Sequence, residues 1–154
     1  MGIEIERKFL LAGDAWRGLG QAVLLRQGYL SSARERVVRV RIEGEQAMLT
    51  IKGANVGATR GEWEYPIPLA DAAELLDGLC EQPLIEKYRH RIEHAGMVWE
   101  VDEFLGANAG LVVAEIELAS EDQPFEKPEW IGAEVSGDAR YYNANLIRHP
   151  FSQW

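Results

Sequence analysis

Seven short segments of this chain repeat polar or charged residues at every second position. Glu4, Glu6 and Lys8 do so in GIEIERKFLL, Arg39 and Arg41 in VVRVRIEG, and Thr50 and Lys52 in AMLTIKG. Arg60, Glu62 and Glu64 follow in RGEWEYPI, Lys87, Arg89 and Arg91 in EKYRHRI, Glu100 and Asp102 in MVWEVDEF, and Glu115 and Glu117 in VVAEIEL. Alternate side chains of a β-strand share a face, so each series lies on one side of its strand. The signs are sorted: some faces are all basic and others all acidic. Like charges on one face repel, and each face therefore needs an opposite partner strand, an ion or a ligand. Cross-strand salt bridges on a solvated surface would satisfy the pattern, but exposed pairs contribute only about 0–1 kcal/mol each. Guanidinium forks and lysine ammoniums suit the oxygens of a flexible phosphate chain. Carboxylates beside such a chain are hard oxygen ligands suited to Mg²⁺ or Mn²⁺, with a metal-bound water as nucleophile.

The elements that must position these residues are mostly strands. Alternation and turn residues predict strands over 2–11, 22–31, 34–43, 47–53, 60–68, 84–94, 97–105 and 112–119. One helix is expected over 70–80, where Asp71 and Glu74 resemble a capping box and Ala72, Leu75, Leu76 and Leu79 form an apolar stripe. A second is expected from Asp138 to about Ile147, stopped by Pro150, with an ordered loop before it. The fold expected is mainly β within the α+β class: an eight-stranded antiparallel barrel, closed or nearly so. Its charged faces line a hydrated tunnel, its helices pack outside, and the C-terminal helix lies near one end. The competing architecture is a sandwich that buries Ile3, Ile5, Val38, Val40, Ile116 and Leu118 between sheets and leaves the charges in water.

With 154 residues and 47% hydrophobic composition the chain suits a single domain over 1–154 with a real core. A formal charge of −9 disfavours nonspecific association with nucleic acid or an anionic membrane. No segment resembles a signal peptide or a membrane span, and Cys80 is the single cysteine, so a cytoplasmic protein is the simplest expectation. His90, His94 and His149 lack metal-ligand spacing and are expected at the surface. Tyr29 and Arg26 have opposite parity and cannot both face inward without a bulge. An outward apolar patch would admit a homodimer.

The segment EIERK resembles the ExExK signature of the CYTH superfamily, the triphosphate tunnel metalloenzymes. RQGYL at 26–30, RVR at 39–41, LTIKG at 49–53, RGEWE at 60–64, EKYR at 86–89, VDEF at 101–104, EIEL at 115–118 and the closing PEWIGAEVSGDARYYN keep the order of short bacterial members. The resemblance implies an eight-stranded tunnel that hydrolyses or cyclises triphosphate compounds with a divalent metal. Lys8, Arg39, Arg41, Lys52, Arg60, Lys87 and Arg89 would then bind phosphates. Glu4, Glu6, Glu62, Glu64, Asp102, Glu115 and Glu117 would lie on the metal side, and Glu4, Glu6 and Lys8 would act in catalysis. Arg140, Tyr141 and Asn143 fit the segment that closes one tunnel end in this family.

The expected reaction is hydrolysis of inorganic tripolyphosphate to pyrophosphate and phosphate. The alternatives are a class IV type adenylate cyclase, a thiamine or nucleoside triphosphatase acting on thiamine triphosphate or ATP, and a noncatalytic polyphosphate-binding barrel. Neither a P-loop nor a glycine-rich dinucleotide turn is present, and GANVG at 53–57 lacks the following Lys-Ser/Thr.

Overall fold

The computed structural model describes residues 2–154. Strands β1 (Gly2–Leu11), β2 (Ala22–Ala33), β3 (Arg36–Glu43), β4 (Gln46–Lys52) and β5 (Thr59–Pro66) precede helix α1 (Leu69–Gly78). Strands β6 (Ile85–His94), β7 (Met97–Phe104), β8 (Val112–Glu117) and β9 (Ile131–Glu134) follow, with α2 (Asn143–Leu146) near the C-terminus. The strands pair in the order β5-β4-β3-β2-β6-β7-β8-β1, and a β1–β5 pairing closes eight of them into an antiparallel barrel. That seam matches Gly2–Ile5 with residues 59–62, while the other edge of β1 pairs Glu6–Leu10 with β8. Where β5 leaves, β9 takes over the same edge of β1 beside Phe9 and Leu11.

Period two separates two chemistries across the wall of the barrel. Outward residues of β1, β6, β7 and β8, among them Phe9, Ile92, Trp99, Val101 and Ile116, are buried beneath Trp16, Trp130, Ile131 and Phe125. Phe9, Trp99, Phe125 and Trp130 meet edge-on, at centroid separations of 5.5–6.1 Å. On the far side α1 lays Ala72 and Leu76 against Val40 and Ala47. The turn that returns from α1 crosses β2 so closely that a Cβ on Gly28 would lie 2.7 Å from Leu84 Cδ2 and 2.9 Å from Cys80 Cβ. Inside, one end of the barrel is apolar: Tyr29, Val37, Ile85, Phe104 and Val113 pack with Tyr141, Leu146 and Ile147 of the C-terminal segment.

The expected barrel is present, and three local expectations are corrected. Helix α1 starts at Leu69 after Pro68 and has no side-chain cap, so the Asp71–Glu74 box does not form; Asp71 lies in the first turn, where its charge favours the positive helix end. The expected helix from Asp138 to Ile147 is broken into a 3-10 turn, Ala139–Tyr141, and the single turn of α2, because Tyr142 is extended at φ −70 and ψ 128. The break lets Tyr141 enter the apolar end while Asn143 turns toward the barrel interior. The loop before it contains β9, a strand too short to announce itself, which forms because β1 offers it an unpaired edge.

No helix of the described residues is long and apolar enough to cross a membrane. Trp99 is fully buried and, among the described residues, its indole N–H has no partner, so packing holds its side chain. Trp99→Ala is expected to remove about 3–5 kcal/mol of stability, measured by urea denaturation of both proteins; a loss under 1 kcal/mol would contradict this account of the outer core.

Candidate active site

The inward faces bring the predicted cations and carboxylates into one interior, on opposed walls. Arg39 and Arg41 come from β3, and Lys87 and Arg89 from β6, two strands along the ring. Arg89 grips Asp102 with two bonds, Nε–Oδ1 at 2.8 Å and NH2–Oδ2 at 2.9 Å. Lys87 Nζ lies 2.8 Å from Asp102 Oδ2 and 2.8 Å from Asn143 Oδ1. One buried carboxylate thus serves two cations, and Asp102 is committed to them. Arg41 has less: its Nε donates to Gln27 Oε1 at 3.0 Å, and among the described residues no carboxylate lies within 4.0 Å of it. Burial, with Arg39 and Arg89 nearby, lowers Arg41 to about 9. Burial likewise lowers Lys87 to about 7, with Arg89 and Arg41 adding to the effect against the pull of Asp102. Arg39 reaches Thr50 Oγ1 at 3.2 Å and Glu64 at 3.6 Å, yet its buried Nε has no acceptor. Buried guanidinium donors without anions form an anion site, since an unpaired charge of this kind is costly.

The opposite wall has the reverse imbalance. Lys8 lies between Glu6 at 3.6 Å and Glu115 at 3.5 Å, and Lys52 between Glu4 at 3.1 Å and Glu62 at 3.4 Å. Burial and the neighbouring Glu115 push Glu6 well above the usual carboxylate range. Burial also pushes Glu115 up, but Lys8, a hydrogen bond from Glu6 and the Arg89 charge overcome it and hold Glu115 well below that range. The two carboxyls titrate as a pair, with proton affinity raised on the Glu6 side and lowered on the Glu115 side. Burial raises Glu4 against the attraction of Lys52, and burial with Glu4 and Glu100 raises Glu117. Register explains the crowding: Glu6 is opposite Glu117, Lys8 opposite Glu115, and Glu100 opposite Glu115.

The remaining predicted residues are nearer the rim. Arg60 is half-buried opposite Glu4 and donates to the Gly53 carbonyl at 3.1 Å, and Glu64 accepts from Thr50 at 2.7 Å. Arg91 is exposed and paired with Glu43 and Glu100. Tyr29 points inward and Arg26 outward to Asp77, as parity requires, and the register shift in β2 follows Tyr29. Gln27, Thr50 and Asn143 complete the polar network; as uncharged residues they carried no signal in the charge pattern. His90 corrects an expectation: it is buried on the outer face against the Trp16 ring.

The donor set fits a hard divalent cation. Three carboxyl groups, on Glu4, Glu6 and Glu117, are raised in part by one another's charge or that of their acidic neighbours, and a cation would relieve that repulsion. Among the described residues no three carboxylate, histidine or cysteine ligands already converge on one point. Such an ion would complete its shell with water and ligand oxygens, the habit of Mg²⁺-like ions bound by one or two carboxylates.

Comparison with known proteins agrees with the geometry. A CYTH domain family model matches residues 2–150. The chain is 51% identical to an inorganic triphosphatase of Acetivibrio thermocellus over 154 residues, 100% of this chain and 99% of that protein. An inorganic triphosphatase of Nitrosomonas europaea is 38% identical over 147 residues, 93% of this chain and 95% of the relative. The crystal structure of an inorganic triphosphatase superposes with a TM-score of 0.67 at 36% identity, covering 96% of this chain and 95% of the other.

Glu6, with its raised proton affinity, has a stability signature. Its folded value is raised, so its contribution is complete below the ordinary carboxylate value of 4.5 and is lost as pH rises through the folded value. In EDTA, Glu6→Gln is expected to gain in melting temperature relative to the parent as pH rises from 4.5 toward neutrality. A constant difference across that range, in thermal melts, would contradict the raised proton affinity of Glu6.

Proposed function

The chain belongs to the CYTH family, and on that premise we propose that it hydrolyses inorganic tripolyphosphate to pyrophosphate and phosphate. The observation that carries the reading is the opposed imbalance: among the described residues Arg41 is buried with no carboxylate within 4.0 Å and the buried Nε of Arg39 has no acceptor, while on the facing wall Glu4, Glu6 and Glu117 crowd one another. A phosphate chain satisfies the first wall and a divalent cation the second. The names of the relatives at 51% and 38% identity support the same reading.

In this account Arg39, Arg41, Lys87 and Arg89 bind the phosphate oxygens, and Lys8, Lys52 and Arg60 complete the cationic contacts from the other strands. Asp102 orients Arg89 and Lys87 through the bonds already described. Glu4, Glu6, Glu62, Glu64, Glu115 and Glu117 are the carboxylates available to Mg²⁺ or Mn²⁺. When bound, that ion neutralises phosphate charge and makes the phosphorus more open to attack. Water attacks the terminal phosphorus; a new P–O bond forms, the P–O bond to the bridging oxygen breaks, and pyrophosphate leaves with its electron pair. The Glu6 carboxylate, with its raised proton affinity, is suited to accept the proton of that water. The cationic wall stabilises the charge growing on the departing pyrophosphate. Positioning and charge neutralisation supply the catalysis, and no covalent nucleophile is required.

The test is product release from tripolyphosphate, ATP, thiamine triphosphate and pyrophosphate, each with Mg²⁺, Mn²⁺ or EDTA. Metal-dependent phosphate release greatest with tripolyphosphate is expected; cyclic AMP from ATP would replace this reading with a cyclase. Arg41→Ala is expected to raise KM for tripolyphosphate at least tenfold, because a charge-assisted bond of about 1.5–3 kcal/mol is lost. Glu6→Gln is expected to lower kcat by at least a hundredfold with the fold intact, and full metal-stimulated activity in that variant would remove Glu6 from the mechanism.

A further inference from the structure

Asn143 is the one residue of the C-terminal segment found to bond the cationic wall. Its Oδ1 accepts from Lys87 Nζ at 2.8 Å and from Gln27 Nε2 at 3.2 Å. Gln27 in turn accepts from Arg41 Nε at 3.0 Å and donates to Tyr29 Oη at 3.1 Å. A single amide oxygen therefore uses both lone pairs to tie β2 to β6, holding Lys87 directly and Arg41 through Gln27. An ammonium has three donors; Asn143 accepts one while Asp102 pairs with the charge at 2.8 Å, which leaves donor capacity for a ligand.

Directly beyond this network the barrel is shut. Tyr29, Ile85, Phe104 and Val113 meet Tyr141 and Leu146 in an apolar cluster. Arg148 fastens the segment further, donating to the Ser32 carbonyl at 3.2 Å and to its hydroxyl at 3.0 Å. A phosphate chain entering from the rim cannot thread through this end. It must stop there, end first. A terminal phosphate carries more negative charge and more free oxygens than an internal one, which matches a cluster of two or three cations with unused donors.

We propose that the closed end of the lumen recognises the free terminal phosphate of a linear chain, and that Asn143 is the positioning residue presenting Lys87 and Arg41 to it. The proposal rests on the triphosphatase reading and narrows its substrate class to chains with a free end. Cyclic trimetaphosphate has the same three phosphorus atoms without an end and is the discriminating probe.

The experiment is calorimetric binding of tripolyphosphate and of cyclic trimetaphosphate in EDTA, to the parent protein and to Asn143→Leu, Lys87→Met and the double variant. Binding is read without metal or turnover, so it stands apart from the assay of hydrolysis. The parent is expected to bind the linear chain at least tenfold more tightly than the ring. Asn143→Leu is expected to weaken the linear chain about tenfold, and the double variant to lose less than the sum of the two single losses, because Asn143 acts in part through Lys87. Asn143→Ser, smaller and polar, replaces the leucine variant if that one melts far below the parent. Equal affinity for ring and chain, additive losses in the double variant, or an Asn143 variant within twofold of the parent would overturn the proposal. Linear-chain preference with no hydrolysis under any metal would overturn the triphosphatase reading and leave the end-recognition site standing.

Discussion

Like charges gathered inside a closed wall set the terms for the rest of this molecule. Eight strands turn their polar faces inward, and the cost of burying those groups falls only where opposite signs or ligands are near. Asp102 neutralises part of the cationic side, and Lys8 and Lys52 neutralise part of the acidic side. What remains unneutralised is the function. The two residues that show it best are Arg41, lowered to about 9 among other cations, and Glu6, raised among other acids.

A polar interior requires the barrel to find its hydrophobic core elsewhere. Apart from the apolar plug at one end, it does so outside, in two separate layers: the aromatic group around Trp99 and the α1 contact with Val40 and Ala47. Strands β1, β3, β6, β7 and β8 are thus packed against apolar side chains on one face and against charged ones on the other. Packing outside holds the backbone at positions from which inward side chains reach one another at 2.8–3.6 Å. Stability and chemistry reside on opposite faces of the same residues' strands, so a change to one face leaves the other mostly in place.

Much of this was legible in the sequence because period two is a strong signal when charges carry it. Arg39, Arg41, Lys87 and Arg89 were placed on inward faces by parity alone, and the structure brings them together as read. Pair commitments were not legible. Nothing in VDEF says that Asp102 belongs to Arg89 and Lys87, since that depends on the β6–β7 register and on the full burial of both partners. Gln27 escaped notice, and Thr50 and Asn143 were placed without their bonding partners, because neutral polar residues are common on any strand or turn and their roles exist only once three or four elements meet. The break at Tyr142 and the strand β9 share that cause: both are local sequences overridden by the site they dock against, the apolar end in one case and the open edge of β1 in the other. His90 was misplaced because a polar type was read as exposed, whereas Trp16 folds over it.

The division of one edge of β1 between β5 and β9 bears on how the chain reaches its native state. This strand lies first in order along the barrel's chain, yet its partners on both edges arrive late: Lys8 waits for Glu115, and Phe9 for Glu134, each more than roughly a hundred residues downstream. Such separation gives a high contact order and slow ring closure. During synthesis Gly2–Ile5 can pair with β5 once that strand emerges, whereas Glu6 and Lys8 lack their strand partners until β8 leaves the ribosome. The hairpins β2–β3, β3–β4 and β6–β7 can form meanwhile from local contacts. Closure of the barrel and assembly of its acidic wall are therefore one event, and a partly folded chain lacking it has a basic trough without the facing carboxylates of β1 and β8.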